Sequence, residues 1–289
     1  MEGATMMVLG GSGLLGKALL ADLHKEGLRG EKLFAPASGE LDIRDFASVQ
    51  KAVAERRPEW IILSAAYTDV DGCETHPELA FSVNRDGAVN AARAAKDAGS
   101  RLLFLSSDYV FNGKKSSPYE TDDARDPQSV YGRSKAEAEV RLLDLLPGCC
   151  IVRTSWLFGV GGKCFPDTIL KIAADRPVLE VVNDQRGCPT YAPDLARAIV
   201  ALCRQGASGI VHATNAGECS WFEFAVEILK SAGLPNEVRP VSTQRMARPA
   251  PRPAYSVLSP RSLAERNITM PAWQDALKRY LVERGRAGA

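Results

Sequence analysis

Short uninterrupted apolar runs alternate along this chain with stretches whose apolar residues recur at helical spacing. Met6-Met7-Val8-Leu9 is the first such run, and Lys17-Ala18-Leu19-Leu20-Ala21 beyond it takes up a helix-compatible pattern. Lys32-Leu33-Phe34-Ala35 reads as a short second strand, and Leu41-Asp42-Ile43-Arg44-Asp45 leads into an amphipathic helix through Ala54. Glu59-Trp60-Ile61-Ile62-Leu63-Ser64 and Arg101-Leu102-Leu103-Phe104-Leu105-Ser106 have the continuous apolarity of strands buried on both faces, with an alanine-rich helix over 77–98 between them. After a polar loop at 112–130 the pattern predicts a helix from Val130-Tyr131, then strands at 149–153, 178–182 and 209–213 separated by helices near 167–174 and 193–203.

Strands that alternate with helices in this way build βαβ units, so the expected fold is α/β, a doubly wound parallel sheet of the Rossmann type. Ligands of such sheets lie at the C-terminal ends of the strands. Helices near 221–232, 261–265 and 271–282 read as a smaller C-terminal, substrate-binding lobe capping the sheet. The expected division gives residues 1–155, with 178–205 returning, to a dinucleotide-binding domain, and 156–177 with 206–289 to the lobe.

Between the first strand and the first helix stand Gly10, Gly13 and Gly16, spaced GxxGxxG. Gly10 permits the tight turn, Gly13 lets backbone approach a pyrophosphate, and Gly16 lets the helix pack against the strand, while free N–H groups at the helix start favour an anion. Glycines at a strand-to-helix turn also serve packing alone, so the turn needs support from elsewhere in the chain.

Composition narrows the partner. Lys plus Arg number 36 against 35 Asp plus Glu, leaving a charge of +1 and no electrostatic signature for nucleic acid or an anionic membrane surface. The seven cysteines are odd in number and contain no CxxC pair, which speaks against a disulfide framework or a zinc knuckle and fits a reducing compartment. No apolar run approaches the ~18 residues of a membrane span, and no basic region precedes an apolar stretch at the N-terminus. The expectation is a soluble cytoplasmic protein with a small-molecule partner.

Tyr131 and Lys135, at i and i+4, face the same way from one helix. The lysine charge favours tyrosinate and is expected to lower the tyrosine pKa toward a useful general-acid range. Upstream, Leu105-Ser106-Ser107-Asp108-Tyr109 would bring hydroxyls out at the sheet edge that carries the glycine turn. The proline-rich basic stretch Arg245 to Pro253 reads as a stiffened solvated loop, with contact to a substrate diphosphate as the alternative.

The glycine turn, the serine after a buried strand and Tyr131-x-x-x-Lys135 together resemble the extended short-chain dehydrogenase/reductases. Within them, Ser106-Ser107-Asp108-Tyr109-Val110-Phe111, Arg153-Thr154-Ser155-Trp156-Leu157-Phe158 and the run Asn183 to Thr190 are similar to the dTDP-4-dehydrorhamnose reductase family. That resemblance implies reduction of a dTDP-4-keto-6-deoxy sugar in dTDP-rhamnose biosynthesis, with NADPH as cofactor and NADH also accepted. It implies that Gly13, Leu14 and Leu15 meet the pyrophosphate, Asp42 and Ile43 the adenine, and Ala66, Tyr67 and Thr68 the middle of the cofactor, with Asn84 near the active site. Ser107 and Tyr131 would be catalytic, Lys135 would hold the nicotinamide ribose, and Asp108, Tyr109 and Trp156 would contact the sugar nucleotide. No metal is expected, and a homodimer is left open.

Leu63, Cys164 and Cys188 depart from the family pattern. Leu63 and Cys188 read as packing changes, whereas Cys164 puts contacts to the substrate diphosphate in question. Two other readings compete: a non-catalytic subunit resembling the beta subunit of methionine adenosyltransferase, and a nucleotide-sugar dehydratase or epimerase. Tyr109 speaks against the second, because related dehydratases carry an acidic residue there.

Overall fold

The computed structural model describes residues 5–287. Six strands form one wholly parallel sheet: β1 (Met6–Leu9), β2 (Leu33–Phe34), β3 (Trp60–Leu63), β4 (Arg101–Ser107), β5 (Cys150–Thr154) and β6 (Gly209–His212). Their spatial order is β6-β5-β4-β3-β1-β2, so the direction of winding reverses between β1 and β3. That reversal opens a crevice at the C-terminal ends of the strands, where ligands of doubly wound sheets bind.

The two-residue period of a strand explains why the runs are apolar throughout. Met6, Val8, Trp60, Ile62, Leu103, Leu105, Cys150 and Val152 point to one face, against α1 (Leu14–Lys25) and a helix at Ala192–Arg204. Met7, Leu9, Ile61, Leu63, Leu102, Phe104 and Ile151 point to the other, against α2 (Phe46–Arg56), α3 (Gly87–Ala98) and α4 (Val130–Leu145). Alanines at 88, 91, 92 and 95 let α3 lie close to the sheet. Leu63, 1% exposed, belongs to this core, in keeping with a packing change.

Helix ends that set the site are capped locally. Asp45 accepts from Ala47 N–H at the start of α2, and Ser129 accepts from Gly132 N–H at 3.1 Å at the start of α4. A Cβ at Gly132 would lie 2.2 Å from the Tyr109 carbonyl oxygen, so glycine lets α4 press its first turn onto the end of β4.

Three differences from the expected layout have physical causes. The single helix over 77–98 is interrupted by a π-helical turn, Ser82–Asp86, which buries Asn84 toward the sheet edge. Val178–Val182, expected to return to the dinucleotide-binding domain, pairs instead with Glu237–Val241 as a separate two-stranded ribbon. Gly209–His212, assigned to the lobe, hydrogen-bonds to β5 and forms the sheet's edge. Strand periodicity reports burial and leaves the choice of neighbour open, which is why both pairings escaped the sequence pattern. The outermost residues of the expected division, 1–4 and 288–289, lie outside the described residues.

Helices Trp221–Ser231 and Trp273–Ala287 pack as a lobe, whereas Arg261–Ala264, also expected there, packs through Leu263 against the sheet's edge. Phe158, Ile169, Leu179, Phe224, Ile228, Trp273, Leu277 and Tyr280 form the core of the lobe. Among the described residues, no helix is long and apolar enough to cross a membrane.

Candidate active site

A cavity of about 900 Å³ runs along the C-terminal ends of β1, β3, β4 and β5. One end is the glycine turn, where Gly10, Gly13, Leu14, Leu15 and Gly16 all face it. Gly10 sits at φ +99°, and a Cβ there would come within 2.4 Å of Ala65 N; at Gly16 a Cβ would be 2.1 Å from the Gly10 carbonyl oxygen. Both glycines are demanded by the protein's own packing.

Gly13 differs, because a Cβ there would meet nothing nearer than Gly10 O at 3.4 Å, and its φ of −72° suits any residue. It is the N-cap of α1, which has no side-chain cap and no acidic residue in its first turn. Backbone N–H groups at that end are therefore available to an anion. Gly13→Ala should leave the unfolding midpoint within the ±0.5 kcal/mol typical of unstrained sites yet weaken pyrophosphate binding, whereas Gly16→Ala should destabilise the fold. Denaturant titration beside cofactor titration checks this; equal stability losses in the two variants would contradict it.

Asp42 and Ile43 line the same end with Pro36, Ser38 and Arg44. Hydrogen bonds from Arg44, one of them 2.9 Å from Nε, hold the Asp42 carboxyl below its usual range. Glu40 accepts from Ala37 N at 2.8 Å and is thereby tied into its own turn.

Ala66 and Thr68 line the middle of the cavity, but Tyr67 does not. The Tyr67 side chain, expected at the cofactor, packs instead with Cys73, Ala80 and Val130. Asn84, expected near the cofactor, is 1% exposed and lies behind this wall. Its Oδ1 accepts from Tyr67 N at 2.8 Å, while its Nδ2 donates to Tyr67 O at 3.1 Å and Ser134 Oγ at 3.0 Å. Asn84 thus clamps the loop to α4 and does not reach the cavity.

Ser107, Asp108, Tyr109, Tyr131 and Lys135 gather at the far wall. Ser107 Oγ donates to Asp108 Oδ1 at 2.8 Å and accepts from Tyr109 N at 3.2 Å. The Tyr109 and Tyr131 rings meet edge to face, 5.6 Å apart. Burial pushes the Asp108 carboxyl up to about 6 against the hydrogen bonds of Ser256 and Ser107.

The expected lowering of Tyr131 does not occur. Burial raises its hydroxyl well above the ordinary tyrosine value, with the Ser107 hydroxyl opposing. Burial likewise brings Lys135 down to about 7, opposed by the charge of Glu139. Desolvation, which helical spacing does not reveal, governs both groups. A raised tyrosine is protonated at neutral pH, which is the state a proton donor needs.

Trp156 lines the opening, at φ +45°. Its ring stacks on Trp221, 3.5 Å between centroids and 8° from parallel, and a Cβ at Gly187 would lie 2.5 Å from the indole. Lys163 and Thr154 also line the cavity, and Thr154 Oγ1 is buried without a hydrogen-bond partner among the described residues. Sequence reasoning passed over Arg44, Thr154, Lys163 and Trp221. Thr154 and Trp221 each lie beside a residue or element it had marked, but no spacing rule singles them out.

The other departures point away from the cavity. Cys164 Sγ faces Asp167 Oδ2 at 3.4 Å and Tyr280 Oη at 3.6 Å inside the lobe. Cys188 is 2% exposed. The Arg245–Pro253 stretch is a clasp: Arg252 donates to both Asp71 oxygens at 2.6 and 2.9 Å, and Arg245 pairs with Glu180 at 2.6 Å. Those arginines are taken by protein carboxylates and do not line the cavity.

A site with an uncapped helix N-terminus at one end and a protonated tyrosine beside a lysine at the other fits a dinucleotide and a second polar ligand. The model of the RmlD substrate binding domain matches residues 4–285. The chain is 42% identical to a dTDP-4-dehydrorhamnose reductase of Streptomyces griseus, covering 87% of this chain and 84% of that protein. It is 39% identical to the spore coat polysaccharide biosynthesis protein SpsK of Bacillus subtilis, covering 98% of each. The crystal structure of dTDP-4-dehydrorhamnose reductase from Bacillus anthracis in complex with NADP superposes with a TM-score of 0.91 at 37% identity, covering 97% of this chain and 99% of that one. Matched from end to end in sequence and in fold, the chain belongs to the dTDP-4-dehydrorhamnose reductase family of the extended short-chain dehydrogenase/reductases.

Proposed function

We propose that this protein reduces the 4-keto group of dTDP-4-dehydro-6-deoxy-L-mannose (dTDP-4-dehydrorhamnose) with NADPH, giving dTDP-L-rhamnose. The observation that carries the reading is the meeting of Ser107, Tyr131 and Lys135 on one wall of the cavity whose other end is the glycine turn. NADPH, when bound, supplies the hydride. The N–H groups at the start of α1 hold its pyrophosphate, Asp42 and Ile43 lie at the adenine end, and Lys135 holds the nicotinamide ribose. Tyr131, kept protonated by burial, gives its proton to the sugar oxygen as charge builds there. Ser107, freed from Asp108 by a hydroxyl rotation, donates to the same oxygen while still accepting from Tyr109 N. Trp156 offers its face to the sugar nucleotide, and Lys163 offers a cation to the diphosphate.

These residues come from one chain, and the reading places the enzyme in the cytoplasm and is compatible with a homodimer. NADPH oxidation with the dTDP-4-keto-6-deoxy sugar, supplied through its epimerase and with the product identified by NMR, tests the reaction. Unchanged NADPH with a folded, cofactor-binding protein would favour a regulatory subunit.

The same assay settles cofactor choice. With no carboxylate at the end of β2, Glu40 held by Ala37 N and Asp42 paired with Arg44, no unpaired carboxylate there repels a 2′-phosphate. NADPH should be used at least as well as NADH. A kcat/KM preference for NADH above about 30-fold, ~2 kcal/mol, would mean that an acidic group reads the ribose after all.

A further inference from the structure

Along the face of α4 that carries Lys135 lies a second polar cluster. Glu139, one helical turn beyond Lys135, is fully buried, and its carboxylate takes four hydrogen bonds. Oε1 accepts from Ser106 Oγ at 2.5 Å and Arg153 Nε at 2.9 Å; Oε2 accepts from Arg153 Nη2 at 2.7 Å and Arg125 Nε at 2.6 Å. Arg153, on β5, is fully buried too, and it reaches Thr121 O at 3.2 Å and His212 Nε2 at 3.3 Å. One carboxylate is therefore shared between two arginines.

Lys135 has little else. Its Nζ lies 4.1 Å from the centre of the Phe104 ring, and among the described residues it makes no ion pair and no hydrogen bond within the protein. We propose that Glu139 is a positioning residue for the reaction: its carboxylate, on the face of α4 that carries Lys135, offsets the charge of Arg153 and Arg125 and so keeps Lys135 cationic in the site. Its bond to Ser106 also fixes the strand end that presents Ser107. The consequence for catalysis rests on the reductase reading, whereas the electrostatic coupling rests on the buried cluster alone.

Burial holds Lys135 near 7, so a modest change in the field at Nζ moves it between charge states around neutral pH. The other groups around α4 do not substitute for Glu139. Arg85 and Glu137 on the outer face pair with each other at 3.1 Å, and Glu74 accepts from Val130 N at 2.7 Å. Burial and Arg153 bring His212 down to about 3, and burial pushes the Cys73 thiol up to about 11, so both are neutral. Tyr131 is protonated, and Asp108 titrates below neutrality.

Two substitutions act on this coupling in opposite directions. Glu139→Gln removes the charge that favours the ammonium. Arg125→Gln removes a cation that competes for the carboxylate, from a side chain 26% exposed at the loop. The readout is the NADPH dissociation constant from about pH 6 to 9, followed by nicotinamide fluorescence without sugar. Titration of the ligand phosphate and of Asp108 is common to all three proteins, so differences between the curves isolate Lys135.

The pH at which binding begins to weaken should fall by on the order of one unit in Glu139→Gln and rise in Arg125→Gln. Curves that move together, or do not move, overturn the proposal. Should Glu139→Gln fail to fold, Arg125→Gln decides alone: an unmoved or lowered break refutes the coupling. Opposite shifts in a protein that never turns over the sugar would sink the reductase reading and leave the coupling standing.

Discussion

Tyr131→Phe lowers kcat by on the order of 10²-fold or more while leaving the fold and NADPH binding intact. The phenyl ring keeps the packing that seats the tyrosine, since its neighbours are apolar: Cys73, Ala80 and Val130 below it and the edge of the Tyr109 ring beside it. What disappears is one hydroxyl, protonated and beside Ser107. Because burial lifts that hydroxyl far above neutrality, the reactive form is the acid and persists across the physiological range. Loss of rate on the alkaline side should accordingly follow Lys135, whose charge is already in balance near 7 before cofactor binds, and Tyr131 should contribute only at higher pH. Steady-state kinetics with a thermal unfolding control decides the matter. Turnover near the parent rate in a well-folded variant would remove Tyr131 from the chemistry and leave Ser107 or a bound water as proton source.

The residues that make this prediction possible were legible in the sequence to different degrees, and the difference has a physical basis. Gly10 and Gly16 are legible because a strand-to-helix turn this tight excludes a Cβ, and the structure gives each a backbone atom within 2.4 Å of where one would be. Tyr131 and Lys135 are legible because helical spacing fixes their direction without knowledge of the rest of the fold. Their electrostatics are not, because desolvation depends on what covers them, and the expected depression of the tyrosine became an elevation. Asn84 was placed near the active site, but the π turn aims it at the backbone of Tyr67. Trp221 reaches the cavity only because the lobe folds back over the sheet to stack it on Trp156, a contact between residues 65 positions apart that no local pattern encodes.

The cluster behind the catalytic wall was invisible for the same reason. Ser106, Arg125, Glu139, Arg153 and His212 come from a strand end, a loop, a helix and two further strands, and each looks ordinary in its own stretch. Together they explain how a charged residue is tolerated within β5, directly after the apolar run Cys150-Ile151-Val152. They also tie the end of β4, which carries Ser107, to the helix that carries Tyr131 and Lys135. Geometry at the reacting atoms is thus supported by buried charge as well as by packing.

Arg153→Met should be the most destabilising of the substitutions considered, at about 3–5 kcal/mol, since removing one partner of a buried pair strands the other. Methionine replaces much of the apolar stem, so the loss is chiefly electrostatic, with the 4.9 Å contact to the Phe111 ring adding to it. Arg125 remains on Glu139 Oε2, and this brings the expected cost toward the lower end of that range. The pH dependence identifies the cause. Burial alone would push the Glu139 carboxyl up, but the hydrogen bonds and charge of Arg153, with Ser106 and Arg125, hold it below the ordinary range. A depressed carboxyl contributes stability that is present above its unfolded pKa and is lost as pH falls through the folded value. Without Arg153 that contribution shrinks, so the gap between parent and variant should be widest near neutrality and narrow on acidification, as Glu139 becomes neutral in both. Urea unfolding at several pH values measures the gap, and the double variant Arg153→Met/Glu139→Leu should recover part of it, because an apolar pair leaves no stranded charge. A loss that is the same at every pH, or that deepens when Glu139 is also made apolar, would show that Arg153 acts by filling space and that Arg125 alone satisfies the carboxylate.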